Sequence, residues 1–476
     1  MRFDRTATPT RFAARRNAPA RGLARTILAT ALAAGAIFPR AAQAQDLTLK
    51  PAPAQSQPII IQNATIHTLE ETPRVLTNAT IWFEGGAIRG IEPDADFKQR
   101  EKAMRWAQPP RYLDAQGMHV YPGFISPHSQ LGLTEIQAVR AGSDFDETGD
   151  VTPEVRPAIA VNPDSALLPV TRSTGVLTAI LFPSGGRIPG QVSAIRIDGW
   201  TIEETTLRPS LGISLNWPSM RTIVASWYDK SEEDQLKEVR RELDDLARAF
   251  DLALSYAQQR DADASTPIDL RWEAMRPLFD AKSGARVFVQ ANDAEQINAA
   301  VSFCAERGLR MVLVGGGDAL RCADLLKRHD VPIILRGTQG IPRRDDEPIN
   351  APMSLAKRLH DAGLAFCVAH DDDTAHQRNL PYYAATTVAH GLPRDAALKS
   401  ITLWAARIAG LGDTHGSLEV GKAATLFVCE GDPLEVTSNV VMAFIDGRPA
   451  DLSNKHRQLA DKYLERYRQR GDIPRP

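Results

Sequence analysis

The 476-residue chain reads as an α/β protein. The expected architecture is a (β/α)8 TIM-like barrel with a composite β-sandwich domain formed by the N- and C-terminal segments. Three observations predict it. Short, continuously apolar runs recur through the middle of the chain and close on Gly, Ser, Asn or Asp. Amphipathic helical stretches lie between several of them. Short β-branched strands crowd both ends of the chain instead.

The central runs are TGVLTAILFPSGG (174–186), ARVFVQAND (285–293), LRMVLVGGG (309–317), VPIILRGT (331–338) and LAFCVAHDDD (364–373). A strand without polar alternation is buried on both faces, which is the condition of a parallel sheet covered by helices. The helical stretches are AEQINAAVSFCAERG (294–308), DALRCADLLKRHD (318–330) and APMSLAKRLHDAG (351–363). Five or more such units at a spacing of roughly 25 residues favour a closed barrel. A longer amphipathic stretch at 232–260 places Leu236, Val239, Leu243, Leu246 and Phe250 three or four residues apart. It reads as a surface helix or an oligomer element.

At the start, PIIIQNATIHTL, NATIWFEGGAIRGIEPD and RYLDAQGMHVYPG form a strand meander with a Glu-Gly-Gly hairpin turn. At the end, GSLEVGKAATLFVCEGDPLE (416–435) and VVMAFIDGRPAD (440–451) return to strand character. The expected organisation is a β-sandwich part at 58–121, a barrel at 122–411, a second β-sandwich part at 412–452 and a charged helical tail at 453–476.

Residues 1–26 carry seven arginines, and ILATALAAGAIF (27–38) follows before Ala42-Gln43-Ala44. A basic leader, a short apolar run and a small-x-small site form an export signal ending near Ala44, with a disordered linker expected at 45–57. The protein is therefore expected in the periplasm or secreted. No later stretch is apolar for long enough to cross a bilayer. Without residues 1–44, which hold eight Arg and one Asp, 48 basic residues face 57 acidic ones, a balance near −9. That charge excludes an electrostatic nucleic-acid footprint. Cys304, Cys322, Cys367 and Cys429 form no CxxC or His-paired spacing, so they read as isolated buried thiols.

Four segments resemble the amidohydrolase superfamily near its imidazolonepropionase-like secreted branch. They are YPGFISPHSQLGL (121–133), GVLTAILFPSGG (175–186), RNLPYYAATTVAHGLPRDAALKSITLWAARIAGL (378–411) and GSLEVGKAATLFVCEGDPLE (416–435). The resemblance implies one or two divalent metals at the strand ends. They would be held by His-x-His after strand 1, a carbamylated Lys or Glu on strand 4, histidines after strands 5 and 6, and Asp after strand 8. Here His128 and Asp371 match, while Gln130, Gln290 and Gly315 or Gly316 stand at histidine positions. A zinc site ordinarily needs three protein ligands plus water. The cofactor expected is thus one weakly held divalent metal, zinc or manganese, or none.

The resemblance implies hydrolysis of a non-peptide C–N bond, such as a cyclic amide, by activated water. His128 and Asp371 would be the catalytic and metal-binding pair. Gln130, Gln290, Gly315, His370 and His376 would surround a small-molecule substrate. The alternative is a catalytically silent barrel that binds a ligand or a protein, and a homo-oligomer is compatible with either. Asp144, Asp146 and Glu147 read as a solvated acidic turn, and Arg343-Arg344 as a surface ion-pair cluster.

Overall fold

The computed structural model describes residues 50–474, apart from Ser226 and Asp372. The expected export leader and the first part of the linker lie outside the described residues. Residues 50–57 carry no regular secondary structure, yet Gln55 docks on a hairpin through Nε2–H to Phe83 O at 2.9 Å and through Gly86 N–H to its Oε1 at 2.9 Å.

Sixteen strands are present among the described residues. The N-terminal five are β1 (Ile59–His67), β2 (Val75–Glu84), β3 (Ala87–Pro93), β4 (Arg111–Asp114) and β5 (His119–Pro122). The next eight are β6 (Phe124–Ser129), β7 (Val176–Leu181), β8 (Gly190–Arg196), β9 (Thr206–Asn216), β10 (Arg286–Ala291), β11 (Met311–Gly315), β12 (Ile333–Leu335) and β13 (Phe366–Val368). The last three are β14 (Leu426–Cys429), β15 (Val440–Ile445) and β16 (Arg448–Pro449).

Both ends of the chain build one eight-stranded sheet, ordered β16-β15-β14-β5-β1-β2-β3 with β4 paired to β1. The join is antiparallel, with Phe427 opposite Tyr121 and Val428 opposite Val120. The β2–β3 turn uses Gly85 and Gly86 at φ 60° and 79°, a conformation that a tight hairpin demands of both central residues.

The other sheet runs β6 to β13 in sequence order. It curls into a nearly closed barrel, with one departure from the (β/α)8 expectation. Strand β8 is antiparallel to both β7 and β9, whereas the other pairs are parallel. Connector length explains this. A parallel crossover needs about a dozen residues or more, and only residues 182–189 separate β7 from β8. The chain must turn straight back.

The barrel interior is apolar. Ile125, Phe182, Phe288, Val312, Ile334 and Cys367 share one cluster with Ala405, Ala406 and Ile408 of the helix Leu403–Ile408. Arg286, at the start of β10, donates from Nη1 to Ile408 O at 2.7 Å, so that helix plugs the N-terminal end of the barrel. The C-terminal end remains for chemistry, as in barrels generally.

The expected helices at 294–308, 318–330 and 351–363 appear as Ala294–Glu306, a 3-10 turn Ala319–Cys322 running into Ala323–Arg328, and Ala351–Asp361. Asp293 and Gln296 close a reciprocal capping box at the first of these. The long helix is Glu232–Ala262, and the tail forms Lys455–Arg470. All four cysteines are buried free thiols.

Candidate functional site

Where β6 and β13 approach, no ladder joins them among the described strands. The seam is closed by side chains and one backbone bond. Ile125 N–H donates to Ile401 O at 2.8 Å. Ser126 Oγ–H donates to Gln377 Oε1 at 2.5 Å, and Gln377 Nε2 lies 3.4 Å from His370 Nδ1. An amide nitrogen only donates, so His370 Nδ1 accepts. His370 is 1 % exposed and its ring lies 4.8 Å from that of Tyr383. This Ser126–Gln377–His370 chain fixes the first barrel strand to the last.

His128 projects from β6 onto Phe182, with ring centroids 4.5 Å apart and planes at 28°. Phe182 in turn meets Phe288 edge-to-face at 5.5 Å. Burial, with the Arg336 guanidinium and His370 adding to it, holds the His128 imidazolium well below its ordinary pKa. The ring is therefore neutral. Its Nε2 is buried and meets no hydrogen-bond partner among the described residues.

Asp371 follows β13 and is paired: Arg336 Nη2 sits 2.6 Å from Asp371 Oδ1. Arg336 follows β12, and alternation places it on the inward side two residues beyond the interior Ile334. Gly337 comes next at φ +82°, and a Cβ there would lie 3.2 Å from Asp371 Oδ2. The glycine lets the backbone turn beside the carboxylate. His128, Arg336, His370 and Asp371 thus gather at one mouth of the barrel.

The other expected site residues divide. Gly315, at φ +103°, lines a cleft of about 570 Å³ together with Asn292, Arg336, Gly337, Arg343 and Asp371. Gln130 Nε2 is committed to Ser184 Oγ at 2.7 Å. Gln290, the penultimate residue of β10, is half-buried and lies on the same strand face as the interior Phe288. His376 lies on the 3-10 segment Thr374–Asn379. His128, Gln130, Gln290, His370 and His376 are not among the residues lining the cleft.

A rigid roof covers the cleft. Arg344 grips Asp318 through two bonds of 3.0 and 2.9 Å, and Arg343 donates to Asn292 O at 2.9 Å while pairing with Asp293. Burial would raise the Asp318 carboxyl, but the bonds and charge of Arg344 outweigh it and hold the group below the usual carboxylate range. The expected Arg343-Arg344 cluster therefore reaches chiefly to the loops after β10 and β11, beyond its sequence neighbours.

The donors at the mouth do not fit a resident divalent metal. Asn216 and Gly315 end β9 and β11, and Gln290 is the penultimate residue of β10. Among the described residues, no group of three or more His, Cys, Asp or Glu is placed to hold a metal. Asp371 already has a guanidinium as its partner.

With this geometry in view, comparison with known proteins is informative. Residues 230–450 match the model of the amidohydrolase family. A curated amidohydrolase of Hapsidospora irregularis, tasK, is 25% identical over 450 residues, 84% of this chain. The chain spans 44% of that relative's length. The crystal structure of an amidohydrolase from Thermotoga maritima MSB8 superposes with a TM-score of 0.69 at 22% identity, covering 82% of this chain and 99% of that one. Molinate hydrolase gives a TM-score of 0.50 at 12% identity, covering 85% and 96%. At these identities the structural likeness is one of fold. The matched segment contains β10 to β13 and hence Gln290, Gly315, Arg336, His370 and Asp371; His128 and the Ser126 end of the seam come from outside it.

Sequence reasoning missed Ser126, Gln377 and Arg336. Ser126 stands two residues before His128, and Arg336 immediately follows the apolar run of β12 within VPIILRGT (331–338); these are the available signals.

Proposed function

We propose that the protein is an exported hydrolase of the amidohydrolase type. It cleaves a non-peptide C–N bond, of the cyclic-amide kind, in a small molecule seated at the C-terminal mouth of the barrel. The reading is carried by the gathering of His128, Arg336, His370 and Asp371 at that mouth. His128 Nε2, neutral and without a hydrogen-bond partner among the described residues, accepts a proton from the attacking water. The water oxygen bonds to the carbonyl carbon, Arg336 draws charge from the carbonyl oxygen, and the proton passes to the departing nitrogen as the C–N bond breaks. Export is supported by the leader pattern ending near Ala44.

The test is turnover of a panel of lactams, cyclic imides and N-acyl amino acids, with product followed by mass spectrometry. His128→Ala should lower the rate by about 100-fold or more. An unchanged rate refutes the role of His128.

A second reading, a silent barrel that binds a small ligand, is favoured by the Arg336–Asp371 ion pair, because it leaves Asp371 no free charge with which to orient a base. Ligand binding to a protein that turns over none of the panel would favour it.

A further inference from the structure

We infer that Arg336 is the resident cation of the barrel mouth: its guanidinium takes the position from which a divalent metal would engage Asp371, and it keeps such a metal out. The inference holds whether or not the mouth cleaves a bond.

Three independent features meet at this residue. Arg336 extends the inward-facing row of β12 beyond Ile334, so its side chain enters the mouth rather than the helical layer. It pairs with Asp371 at 2.6 Å, and Asp371 is the carboxylate after β13 that the family pattern assigns to a metal. Its Nε is buried with no hydrogen-bond partner among the described residues, so one donor remains for an incoming oxygen. Asn216, Gln290 and Gly315 at the neighbouring strand ends bring no anionic or imidazole donor. A dication lodged between His128 and Asp371 would have to displace the guanidinium from its counter-ion and then sit beside it. The Arg336 and Asp371 side chains keep 32% and 39% of their surface exposed, so solvent screens the repulsion in part, and what remains of it still opposes a dication at such range. Arginine suits the position because it stays charged at any working pH and its planar fork matches a carboxylate.

The arrangement implies a ligand class. A group that approaches Arg336 Nε must offer a hydrogen-bond acceptor and no positive charge, so the mouth selects a carbonyl or carboxylate compound over an ammonium.

The experiment is calorimetric titration of the full exported chain with zinc chloride, and separately with manganese chloride. Wild type should show no saturable one-equivalent site that disappears in Asp371→Asn. Arg336→Met should gain such a site, at least tenfold tighter than any wild-type binding, and lose it again when combined with Asp371→Asn or His128→Ala. Arg336→Lys, which keeps the charge, should behave as wild type. Should the methionine variant prove unstable, Arg336→Gln replaces it, since its amide still donates to Asp371. A wild-type site that depends on Asp371 overturns the inference, and so does an Arg336 neutral variant that binds metal no better than wild type. Because metal uptake is read rather than turnover, failure here is separate from failure of the hydrolase reading.

Discussion

His67 should make this fold acid-sensitive in a defined window. It ends β1, stacks on Tyr121 at 4.2 Å and 11°, and shares a bond of 2.9 Å between its Nε2 and His119 Nδ1. Burial, then the neighbouring His119 and Arg394, lowers its pKa from 6.5 to about 4. The folded state therefore carries neutral His67 over a range in which the unfolded chain binds a proton. Stability is full above pH 6.5 and falls as pH drops toward 4, because the unfolded state takes up the proton first. At pH 4.5 the loss from this one group is about 2.5 kcal/mol, from ~1.4 kcal/mol per pH unit across the window. For a chain of 476 residues, an unfolding entropy near ~1 kcal/mol/K turns that into a melting shift of about 2–3 °C. The assay is thermal unfolding of wild type and His67→Gln at pH 7.5 and 4.5. The variant retains a hydrogen-bonding amide toward His119 but cannot titrate, so it should lose about 2–3 °C less between the two pH values. Equal losses in the two proteins would refute the assignment.

Three other perturbations test the joints of the fold. Arg172, 3% exposed, donates to Ile197 O at 2.8 Å, Asp198 Oδ1 at 2.6 Å and Asp451 O at 2.8 Å; Arg172→Met strands a buried carboxylate and should cost about 3–5 kcal/mol, measured by urea denaturation. Gly212 has φ +142°, and a Cβ there would sit 1.8 Å from Arg286 O; Gly212→Ala should part β9 from β10 and lower the melting temperature by at least ~3 °C in a thermal scan. Burial would raise the Asp446 carboxyl, but His415 and Arg196 overcome this and hold it well below the carboxylate range. Its stabilisation is therefore present above about pH 4 and lost as pH falls further. Asp446→Asn breaks its 2.5 Å pair with Arg196, which ties the barrel strand β8 to the β15–β16 turn; about 1.5–3 kcal/mol should go at pH 7, and the variant should be less sensitive than wild type to acid below pH 4.

The parallel half of the barrel was legible because its strands are apolar on both faces. ARVFVQAND, LRMVLVGGG, VPIILRGT and LAFCVAHDDD contain β10 to β13, and the helices between them show a single apolar stripe. Strands β8 and β9 were not legible. GQVSAIR mixes polar and apolar residues, and TLRPSLGISLN carries Pro209 and Gly212, which sequence logic assigns to edges and turns. Their antiparallel pairing follows from short connectors, a property visible only once both ends of each connector are known to be strands.

The site was legible by strand and illegible across strands. Matching strand ends one at a time points to His128 and Asp371 as candidates, but the state of Asp371 is decided by the adjacent strand. In the parallel register, Leu335 lies opposite Val368. Each chain then continues past its strand end toward the same rim, so Arg336 and the segment from Ala369 to Asp371 emerge side by side. Once 331–338 and 364–373 are taken as neighbouring parallel strands, that meeting is forced by geometry and needs no knowledge of side-chain rotamers. A carboxylate beside a guanidinium on the next strand is already neutralised. Whether an acid at a strand end is free to hold a metal is therefore a property of two strands and their register, and an acid conserved in type loses that freedom when a single residue on its neighbour becomes basic.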